Sequence, residues 1–432
     1  MKHLNRLVII LMCHPFFGLL AQDLDQIENL SMEELMAVKM DKTCLPISTD
    51  ETLAAAHNSI NMGMIVPRSS RPSIKASIEN MIQGAQLAAR EINEAGGVLG
   101  GKKLNIIVGD DAGEPVFAIQ KAQELITKYD VKVILGPTQS ARLMSVAQKV
   151  ITEQQSLLFG INTTAIAISD LEDKGMVFRT ISSDAIHAEL SADFLIDQGK
   201  KRAVMFYVDN AFGKSHSSDF RRAFEGRGGS ILAAEKFSPL VDLEAYDLGP
   251  KLQRILELRP EVFYVVVQNH QIHGFTRDLQ RFEDMLQEFN PVFVGAEPFG
   301  DQDLPEILDG MYYTSGKRAL SSQFRDKFFE SYGCEPKFFS GDCYDLVYLY
   351  ATALMEVGEA DPARISASLL AEDSHEALGA EQWDRAKELI EQGQNVRYSG
   401  NFGPIIFEPN GDIKGASIKL LRYEGGKASV VK

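Results

Sequence analysis

The stretch VILGPTQSARLMSV, Val133–Val146, decides the fold class, because an apolar run ends at Gly136-Pro137 and a helical pattern begins a few residues later. Residues 131–135 are rich in β-branched side chains, which is typical of a buried strand in a parallel sheet. The polar residues that follow open a helix, whose first N–H groups lack partners within the helix. Ser140 therefore either caps its own helix or helps to hold an anion there.

Strands and helices alternate on both sides of this stretch, beginning at Ile60. The first set contains the strand-like runs INMGMIV, KLNIIVGDD, VKVIL and SLLFGIN, separated by helical patterns such as MIQGAQLAAREINEAGG. A second set begins after Ser182-Ser183-Asp184 and contains RAVMFYVD, VFYVVVQ and PVFVGAE. Such alternation predicts parallel sheets covered on both faces. The predicted fold class is α/β, with two doubly wound parallel-sheet lobes in a chain of 432 residues.

The C-terminal part predicts that the chain passes between the lobes more than once. DCYDLVYLYATALMEVG has the pattern of a long buried helix, and strands with tight turns at Asn410-Gly411 and Gly425-Gly426 follow it. The predicted division gives residues 59–183 and 313–405 to lobe 1, and residues 184–312 and 406–432 to lobe 2.

The composition is that of a globular protein, with 45% hydrophobic and 24% charged residues. The formal net charge of -16 at pH 7 argues against a nucleic-acid partner, because a phosphate-binding face is basic. No run after residue 21 is long and apolar enough to predict a membrane-spanning helix.

The N-terminus has the order of basic, apolar and small residues that marks a secretory signal peptide. Lys2 and Arg6 precede LVIILMCHPFFGLL, and Ala21-Gln22 offers a cleavage point, so we predict a signal peptide at residues 1–21. Residues 22–58 form an acidic leader, in which ENLSMEELMAVKM predicts one short amphipathic helix.

Three cysteines remain after such a cleavage, namely Cys44, Cys334 and Cys343. An oxidising compartment permits one disulfide, and Cys334 and Cys343 are close enough in sequence to form it. Unpaired, half-buried thiols are the alternative. The cysteines form no CxxC or Cys/His zinc pattern.

Several enzyme motifs nearly appear but lack a necessary part. The glycines of EAGGVLGGKK follow a helix and precede a strand, the reverse of a dinucleotide-binding loop. VDNAFGKS has Val208 where a phosphate-binding loop has its first glycine, and no Glu joins His270 and His273 in a metalloprotease pattern. No GxSxG elbow is present. We therefore predict no catalytic residue, metal or cofactor.

Taken together, the segments resemble the type I periplasmic binding proteins, in the leucine/isoleucine/valine-binding branch of ABC-transporter solute receptors. The matching motifs are QGAQLAAREINEAGGVLGGKKLNIIVGDD, VILGPTQS, VDNAFG, FVGAE and FGPIIFEPNGDIKG, in the family's order. They cover nearly everything from Ile60 to the C-terminus. The resemblance implies two lobes joined by three crossover strands, with the solute held in the cleft between them and enclosed by a hinge motion.

The resemblance also implies which residues of the first lobe hold a ligand carboxylate. These are Ser140, the neighbouring backbone N–H of Ala141, the backbone of Ile161, and Thr163 in FGINTT. Their place after strands agrees with the rule that ligands of open α/β sheets bind beyond the carboxyl ends of strands. A helix cap is the alternative role for both hydroxyl side chains.

On the second lobe, the resemblance implies that Glu297 of FVGAE pairs with a ligand ammonium, because a buried cation requires a partner. A solvated loop acid is the alternative. Phe212 stands where the family usually has Tyr, which removes a hydroxyl from the pocket. Gln268 follows the strand VFYVVV at another ligand position, and Asp184 at the crossover is either a hinge residue or a ligand contact.

Two segments depart from the family pattern. PRSSRPSIKASIEN replaces a glycine-rich turn after the first strand, so Arg68, Ser69, Ser70 and Arg71 are candidates for reshaping the carboxylate end of the pocket. EDSHEALGAEQWDRAKELIEQGQ is longer than usual and contains the single Trp, Trp383, which suggests an exposed decoration or a docking surface.

The resemblance implies a periplasmic receptor that captures an amino acid or amide-like small polar solute and presents it to an inner-membrane ABC permease. A periplasmic sensor of the same fold, signalling to a membrane partner, is the alternative. An α/β enzyme is a weaker alternative, because the sequence supplies no catalytic group or cofactor loop.

Overall fold

The computed structural model describes residues 31–32, 59–69, 72–239, 241, 243, 246–268, 271–296, 299, 304–316, 320–371, 376–415 and 418–431. The predicted signal peptide at residues 1–21 lies outside the described residues, and so does the predicted leader apart from Ser31 and Met32. Met32 packs against the core of the first lobe.

Five parallel strands form the first sheet. Helices cover both faces of this sheet and bury the apolar, β-branched side chains of the strands. The strands are β1 (Ser59–Val66), β2 (Lys103–Asp110), β3 (Val133–Leu135), β4 (Leu157–Gly160) and β5 (Val177–Arg179), in the order β2-β1-β3-β4-β5. The helices between them are α1 (Pro72–Glu94), α2 (Pro115–Tyr129) and α3 (Ser140–Val146); a π-helical turn, Ala147–Ile151, and a short segment, Thr152–Gln154, continue α3.

The second lobe repeats the same plan after the first crossover. Its elements are α4 (Asp184–Asp197), β6 (Arg202–Val208), α5 (Ala211–Gly226), β7 (Ser230–Phe237), α6 (Gly249–Leu256), β8 (Val262–Val266), α7 (Ile272–Leu279), α8 (Glu283–Phe289), β9 (Val292–Gly295) and β10 (Tyr312–Ser315). Strands β6 to β10 run parallel wherever they pair.

The C-terminal part adds to both lobes. Its elements are α9 (Ser322–Tyr332), α10 (Phe338–Val357), α11 (Pro362–Leu369), β11 (Glu376–Leu378), α12 (Trp383–Glu391), β12 (Val396–Gly400), β13 (Gly403–Pro404), β14 (Lys419–Glu424) and β15 (Lys427–Val430). Strands β14 and β15 complete the second sheet in antiparallel pairing, giving the order β15-β14-β10-β9-β8-β6-β7. Strands β11, β12 and β13 form a small third sheet.

Helix α10 is the central helix of the first lobe and packs closely on α1. A Cβ added at Gly84 would lie 2.1 Å from the carbonyl oxygen of Ser340, so the two backbones meet where α1 has no side chain. The predicted long buried helix is therefore confirmed, and it places residues from after the second lobe in the core of the first.

The predicted α/β class with two wound parallel sheets is confirmed. Two predicted boundaries differ from the division that the sheets make. Strand β10 pairs along its length within the second sheet, whereas the predicted boundary at 313 divides it. Phe407 packs in the first-lobe core, although residues from 406 onward were assigned to lobe 2. The chain joins the second sheet again only at β14.

Two further expectations are wrong for the described residues. Cys334 and Cys343 are both free, because Cys343 is buried within α10 while Cys334 lies near the Asn80 amide, with the nitrogen 3.8 Å from its sulfur. Trp383 does not belong to an exposed decoration, because it is only 4% exposed and packs edge-on against Tyr348 in the first-lobe core.

A buried arginine ties the end of β5 to the C-terminal turn. The Arg179 side chain is 1% exposed, and its Nε donates to Asp412 Oδ1 at 2.6 Å. Its Nη2 also donates to Asp412 Oδ2 at 3.1 Å and to Ser169 Oγ at 2.7 Å. The Arg179 backbone N–H donates to the Gly411 carbonyl, so the turn pairs with the strand through main chain and side chain together.

We predict that Asp412→Ala lowers the free energy of unfolding by about 3–5 kcal/mol, because it leaves the buried Arg179 guanidinium without its counter-ion. Urea denaturation followed by circular dichroism measures this loss. Glu288→Ala is the matched control, because its ion pair with Arg259 is 2.7 Å long but more than half exposed, and should cost about 0–1 kcal/mol. Equal losses in the two variants would contradict the prediction.

Candidate functional site

The carboxyl ends of the first-sheet strands carry the predicted ligand residues of the first lobe. Ser140 is the first residue of α3 and is 9% exposed. It does not cap the helix, because the N-cap residue is Gln139, whose side chain makes no capping hydrogen bond. Instead, Ser140 Oγ accepts a hydrogen bond from the Ala165 N–H at 3.2 Å. This bond joins the start of α3 to the loop after β4.

That loop contains Ile161 and Thr163, which are both buried. Thr163 Oγ1 has no hydrogen-bond partner among the described residues, although burying an unpaired hydroxyl is unfavourable. A Cβ added at Gly160 would lie 2.2 Å from this oxygen, so the glycine leaves the space that the hydroxyl occupies. An unpaired buried hydroxyl next to a helix start is a suitable hydrogen-bond donor for an anionic ligand.

Arg179 fixes the carbonyl side of the same loop. Its Nη1 donates to the carbonyl oxygens of Thr163, at 3.1 Å, and Ala165, at 2.9 Å. The ion pair with Asp412 therefore holds the loop that carries two predicted ligand residues. The sequence analysis did not identify Arg179, and the only local signal was a charged residue ending the buried run VFR.

A second buried ion pair, also missed from sequence, lies on the same edge. Arg142 Nη1 donates to Asp111 Oδ1 at 2.9 Å, and Arg142 Nη2 donates to Thr138 Oγ1 at 3.1 Å. Burial raises the pKa of Asp111, although Arg142 opposes the change. Burial also raises the pKa of Glu114 to about 7, again against the attraction of Arg142. This pair attaches α3 to the end of β2.

In the second lobe, Asp184 begins α4 and contacts the loop that follows β4 in the first lobe. Its backbone N–H donates to the Thr164 carbonyl at 2.8 Å. Its carboxylate Oδ1 lies 2.9 Å from His216 Nε2 on α5, and both side chains are nearly fully buried. Burial alone would raise the pKa of Asp184, but the charge of His216 and its hydrogen bond lower it overall. Asp184 is therefore ionised.

The neighbouring His187 belongs to the same buried group. Its Nδ1 lies 3.0 Å from Thr314 Oγ1 on β10. Burial, together with the nearby His216, lowers the pKa of His187 to about 4, despite the attraction of Asp184. His187 is therefore neutral at pH 7.

Phe212 lies near the start of α5, which contacts α3 of the first lobe. The Phe212 ring packs edge-on against His216, with 4.6 Å between the ring centroids. The helix that begins at Ser140 and the loop that contains Ile161 and Thr163 thus contact the helices that carry Phe212 and Asp184. Ala141 is half-buried on α3 beside Ser140.

The other predicted positions have a mixed outcome. Gln268 is half-buried, and its N–H donates to the side chain of Gln271 at 2.9 Å. Gln271, which the sequence analysis missed, is 1% exposed, and its Nε2 has no partner among the described residues. Glu297 lies outside the described residues.

The segment after β1 contains the four residues that were expected to reshape the carboxylate end of the pocket. Arg68 pairs with Glu79 of α1 at 2.7 Å, so its charge is already neutralised. Ser69 is half-buried. Ser70 and Arg71 lie outside the described residues.

A cavity of about 290 Å³ lies elsewhere in the first lobe, between α10, α11 and β12. Its walls include Glu356, Arg364, Arg397 and Tyr398, and none of the predicted ligand residues lines it. Within the described ranges, no three His, Cys, Asp or Glu side chains are grouped as metal ligands. Among the helices of that same part of the chain, none has the length and apolarity needed to cross a membrane.

We predict that the free energy of unfolding falls as the pH is lowered from 6.5 to about 4, in part through His187. The unfolded chain binds a proton at this imidazole near its ordinary pKa of 6.5, whereas the folded chain does so only near 4. The unfolded state thus binds more protons in this window, and acid favours it. His187→Gln, which retains a hydrogen-bonding group for Thr314, should flatten the profile measured by urea denaturation at each pH.

His273→Gln is the control for this prediction, because His273 is exposed on α7. It should leave the slope of stability against pH unchanged. A His187→Gln profile as steep as that of the parent protein would contradict the assigned role.

The sequence profile of one protein family, described as Periplasmic binding protein, matches residues 59–411. The Leu/Ile/Val-binding protein BraC3 of Rhizobium johnstonii is 23% identical over 379 residues, which cover 86% of this chain and 94% of the relative. The leucine-, isoleucine-, valine-, threonine-, and alanine-binding protein of Pseudomonas aeruginosa is 22% identical, over 71% of this chain and 81% of the relative.

Solved structures share the fold at similarly low identity. The leucine binding protein LivK of Thermotoga maritima superposes with a TM-score of 0.62 and 20% identity, covering 86% of this chain and 98% of its own. LivJ of Streptococcus pneumoniae, in complex with isoleucine, gives 0.65 and 20%, with 87% and 99% coverage. A solute binding protein of Rhodopseudomonas palustris, in complex with 3,4-dihydroxy benzoic acid, gives 0.65 and 21%, with 87% and 96% coverage.

Proposed function

The chain belongs to the periplasmic binding protein family, and we propose that it captures an amino acid or related small polar solute between its lobes and delivers it to an ABC transporter. The observation that carries this proposal is the buried Thr163 hydroxyl, which has no hydrogen-bond partner among the described residues and lies in the loop that Ser140 of α3 contacts. The two relatives named above are amino-acid-binding proteins by name, and the solved structures include one that holds isoleucine and one that holds 3,4-dihydroxy benzoic acid.

The first lobe supplies donors for the carboxylate of the solute. Ser140 Oγ accepts from the Ala165 N–H, and a hydroxyl that accepts one hydrogen bond still has its own proton to donate. The Thr163 hydroxyl can also donate its proton, since no described group bonds to Thr163 Oγ1. With the backbone N–H groups of Ala141 and Ile161, these two hydroxyls form a neutral site for an anion at a helix N-terminus.

The second lobe supplies the other end of the pocket. Asp184 is already paired with His216, so we assign the ammonium of an α-amino acid to Glu297 instead. Phe212 offers an apolar ring where a tyrosine would offer a hydroxyl, which favours contact with an apolar part of the solute. Gln268 and Gln271 follow β8 at the same edge, and the free amide of Gln271 is a further polar contact for the solute.

A role in transport is better supported than a role in sensing, because the solved structures that share this fold include substrate-binding proteins of transporters. The partner we propose is an inner-membrane ABC permease. The members of this family bind solutes. We therefore propose that this chain also leaves its solute chemically unchanged. Membership of the family also supports a periplasmic or extracellular location, and the signal peptide predicted at residues 1–21 would direct the chain there.

We predict that a panel of L-amino acids, including leucine, isoleucine and valine, contains at least one that raises the melting temperature of the mature protein. A ligand that binds only the folded state stabilises it. The solute should be recovered intact after long incubation with the protein, as judged by mass spectrometry. Recovery of an altered solute would contradict the binding-protein role, and the absence of any thermal shift across the panel would contradict the amino-acid assignment.

We predict that Ser140→Ala, Thr163→Val and Glu297→Gln each weaken binding of the amino acid found in that panel. Hydrogen bonds to charged groups contribute about 1.5–3 kcal/mol, which corresponds to roughly ten- to a hundredfold in affinity. Glu297→Gln should cost the most for the amino acid, because a buried ammonium would lose its counter-charge, and should spare the deaminated analogue. Isothermal titration calorimetry with both compounds measures each effect.

Ser218→Ala is the matched control, because this exposed serine donates to the Ser215 carbonyl of its own helix. It should leave the affinity unchanged. If Glu297→Gln bound the amino acid as tightly as the parent protein, the ammonium would be held elsewhere and the assignment of Glu297 would be wrong.

A further inference from the structure

The second turn of α5 and the start of α4 enclose a buried His–Asp pair that no ligand assignment requires. His216 and Asp184 have side-chain exposures of 3% and 2%, and 2.9 Å separates His216 Nε2 from Asp184 Oδ1. A buried ion pair contributes little net stability compared with apolar side chains of the same volume. A gain in stability therefore does not account for this pair. A role in fixing the relative positions of α4 and α5 does account for it.

The pair connects two groups that belong to different walls of the proposed pocket. On one side, the Asp184 N–H donates to the Thr164 carbonyl in the loop of the first lobe. On the other side, His216 packs against the ring of Phe212, which lies four residues earlier on α5 and thus on the same helical face. The contact path runs from the first-lobe loop through Asp184 and His216 to Phe212.

We propose that His216 is a positioning residue for solute binding, and that its contact with Asp184 fixes the Phe212 ring against the first-lobe loop. This inference rests on the proposed function, because it concerns the same pocket. His216 touches no predicted carboxylate donor, so it acts through Phe212 and Asp184. Loss of the pair releases the Phe212 ring and loosens the connection between the lobes.

The charges around the pair are consistent with His216 being the cation that Asp184 needs. His187, on α4, has a pKa lowered to about 4 by burial and is neutral at pH 7. Asp219, on α5, is bonded by Ser215 and Arg222, and burial raises its pKa. Tyr264, on β8, has a pKa raised by burial and by the nearby carboxylates, so its phenol stays protonated.

The first test measures affinity for the tightest-binding amino acid of the panel, with L-leucine as the first probe. His216→Gln should weaken binding about tenfold, and Asp184→Asn should do the same. The double variant should be no weaker than either single variant, because both changes remove one contact. His273→Gln is the control and should match the parent protein.

The second readout is the dependence of affinity on pH. If His216 had a purely structural role, its substitution would not change this dependence. As the pH is raised through the range in which an imidazole ordinarily gives up its proton, the parent protein should lose affinity. The His216→Gln profile should be flat over the same range. A His216→Gln variant that binds within about twofold of the parent protein, or that keeps the parent's pH dependence, would overturn the proposal.

A third measurement needs no solute and separates this inference from the proposed function. In a Trp383→Phe background, Phe212→Trp places one indole beside His216, and a protonated imidazole in ring contact quenches indole fluorescence. The emission should titrate with pH, and adding Asp184→Asn should move the midpoint to lower pH. If no amino acid binds the parent protein, the proposed function fails, while this titration still decides the inference. Emission that does not change with pH would overturn it.

Discussion

The ion pair between Arg179 and Asp412 is the interaction on which the rest of the proposed site depends. It links β5 to a turn 233 residues later, and the same guanidinium holds the carbonyls of Thr163 and Ala165. The turn fits against β5 only because residue 411 is a glycine. A Cβ at this position would lie 1.9 Å from the Val177 carbonyl oxygen. Since Arg179 occupies these carbonyl oxygens, the loop does not present them to a negatively charged solute.

Two buried acid–base pairs lie near the proposed site, one within each lobe. Arg142 pairs with Asp111 in the first lobe, and His216 pairs with Asp184 in the second. Since Arg142 and His216 are both engaged by carboxylates, we propose that the first lobe recognises an anion through neutral hydroxyl and N–H donors. Neutral donors in a protected site are effective, because the local dielectric strengthens their hydrogen bonds.

The parts of the structure that depend on local pattern were predictable from sequence. Apolar β-branched runs with helical stretches between them gave both sheets, and the polar residues after β3 and β4 placed Ser140 and Thr163 at one edge. The place of a residue within a strand-helix unit can be predicted from the periodic pattern of apolar side chains around it. The predicted roles of these two residues were left open, because a helix cap and a ligand contact use the same residue types.

The interactions that fix the site were not predictable, since each joins segments far apart in the chain. Arg179 is a lone charge at the end of a buried run, and only its partner in the C-terminal turn explains it. His216 occupies an ordinary helical position until α4 brings Asp184 against it. Trp383 belongs to an amphipathic helix whose partner, α10, no local period identifies.

These contacts also indicate an order of events in solute capture. The first-lobe donors are held in place before any solute arrives, by Arg179 on one side of the loop and by the Ser140 bond to Ala165 on the other. Preorganised groups lose little entropy on binding, so the solute carboxylate should engage the first lobe first. In our proposal, the second lobe offers the Phe212 ring, whose position depends on contacts across the cleft through His216, Asp184 and Thr164. Its contribution is therefore greatest once the lobes have closed, and differences between solutes should appear mainly in the stability of that closed form.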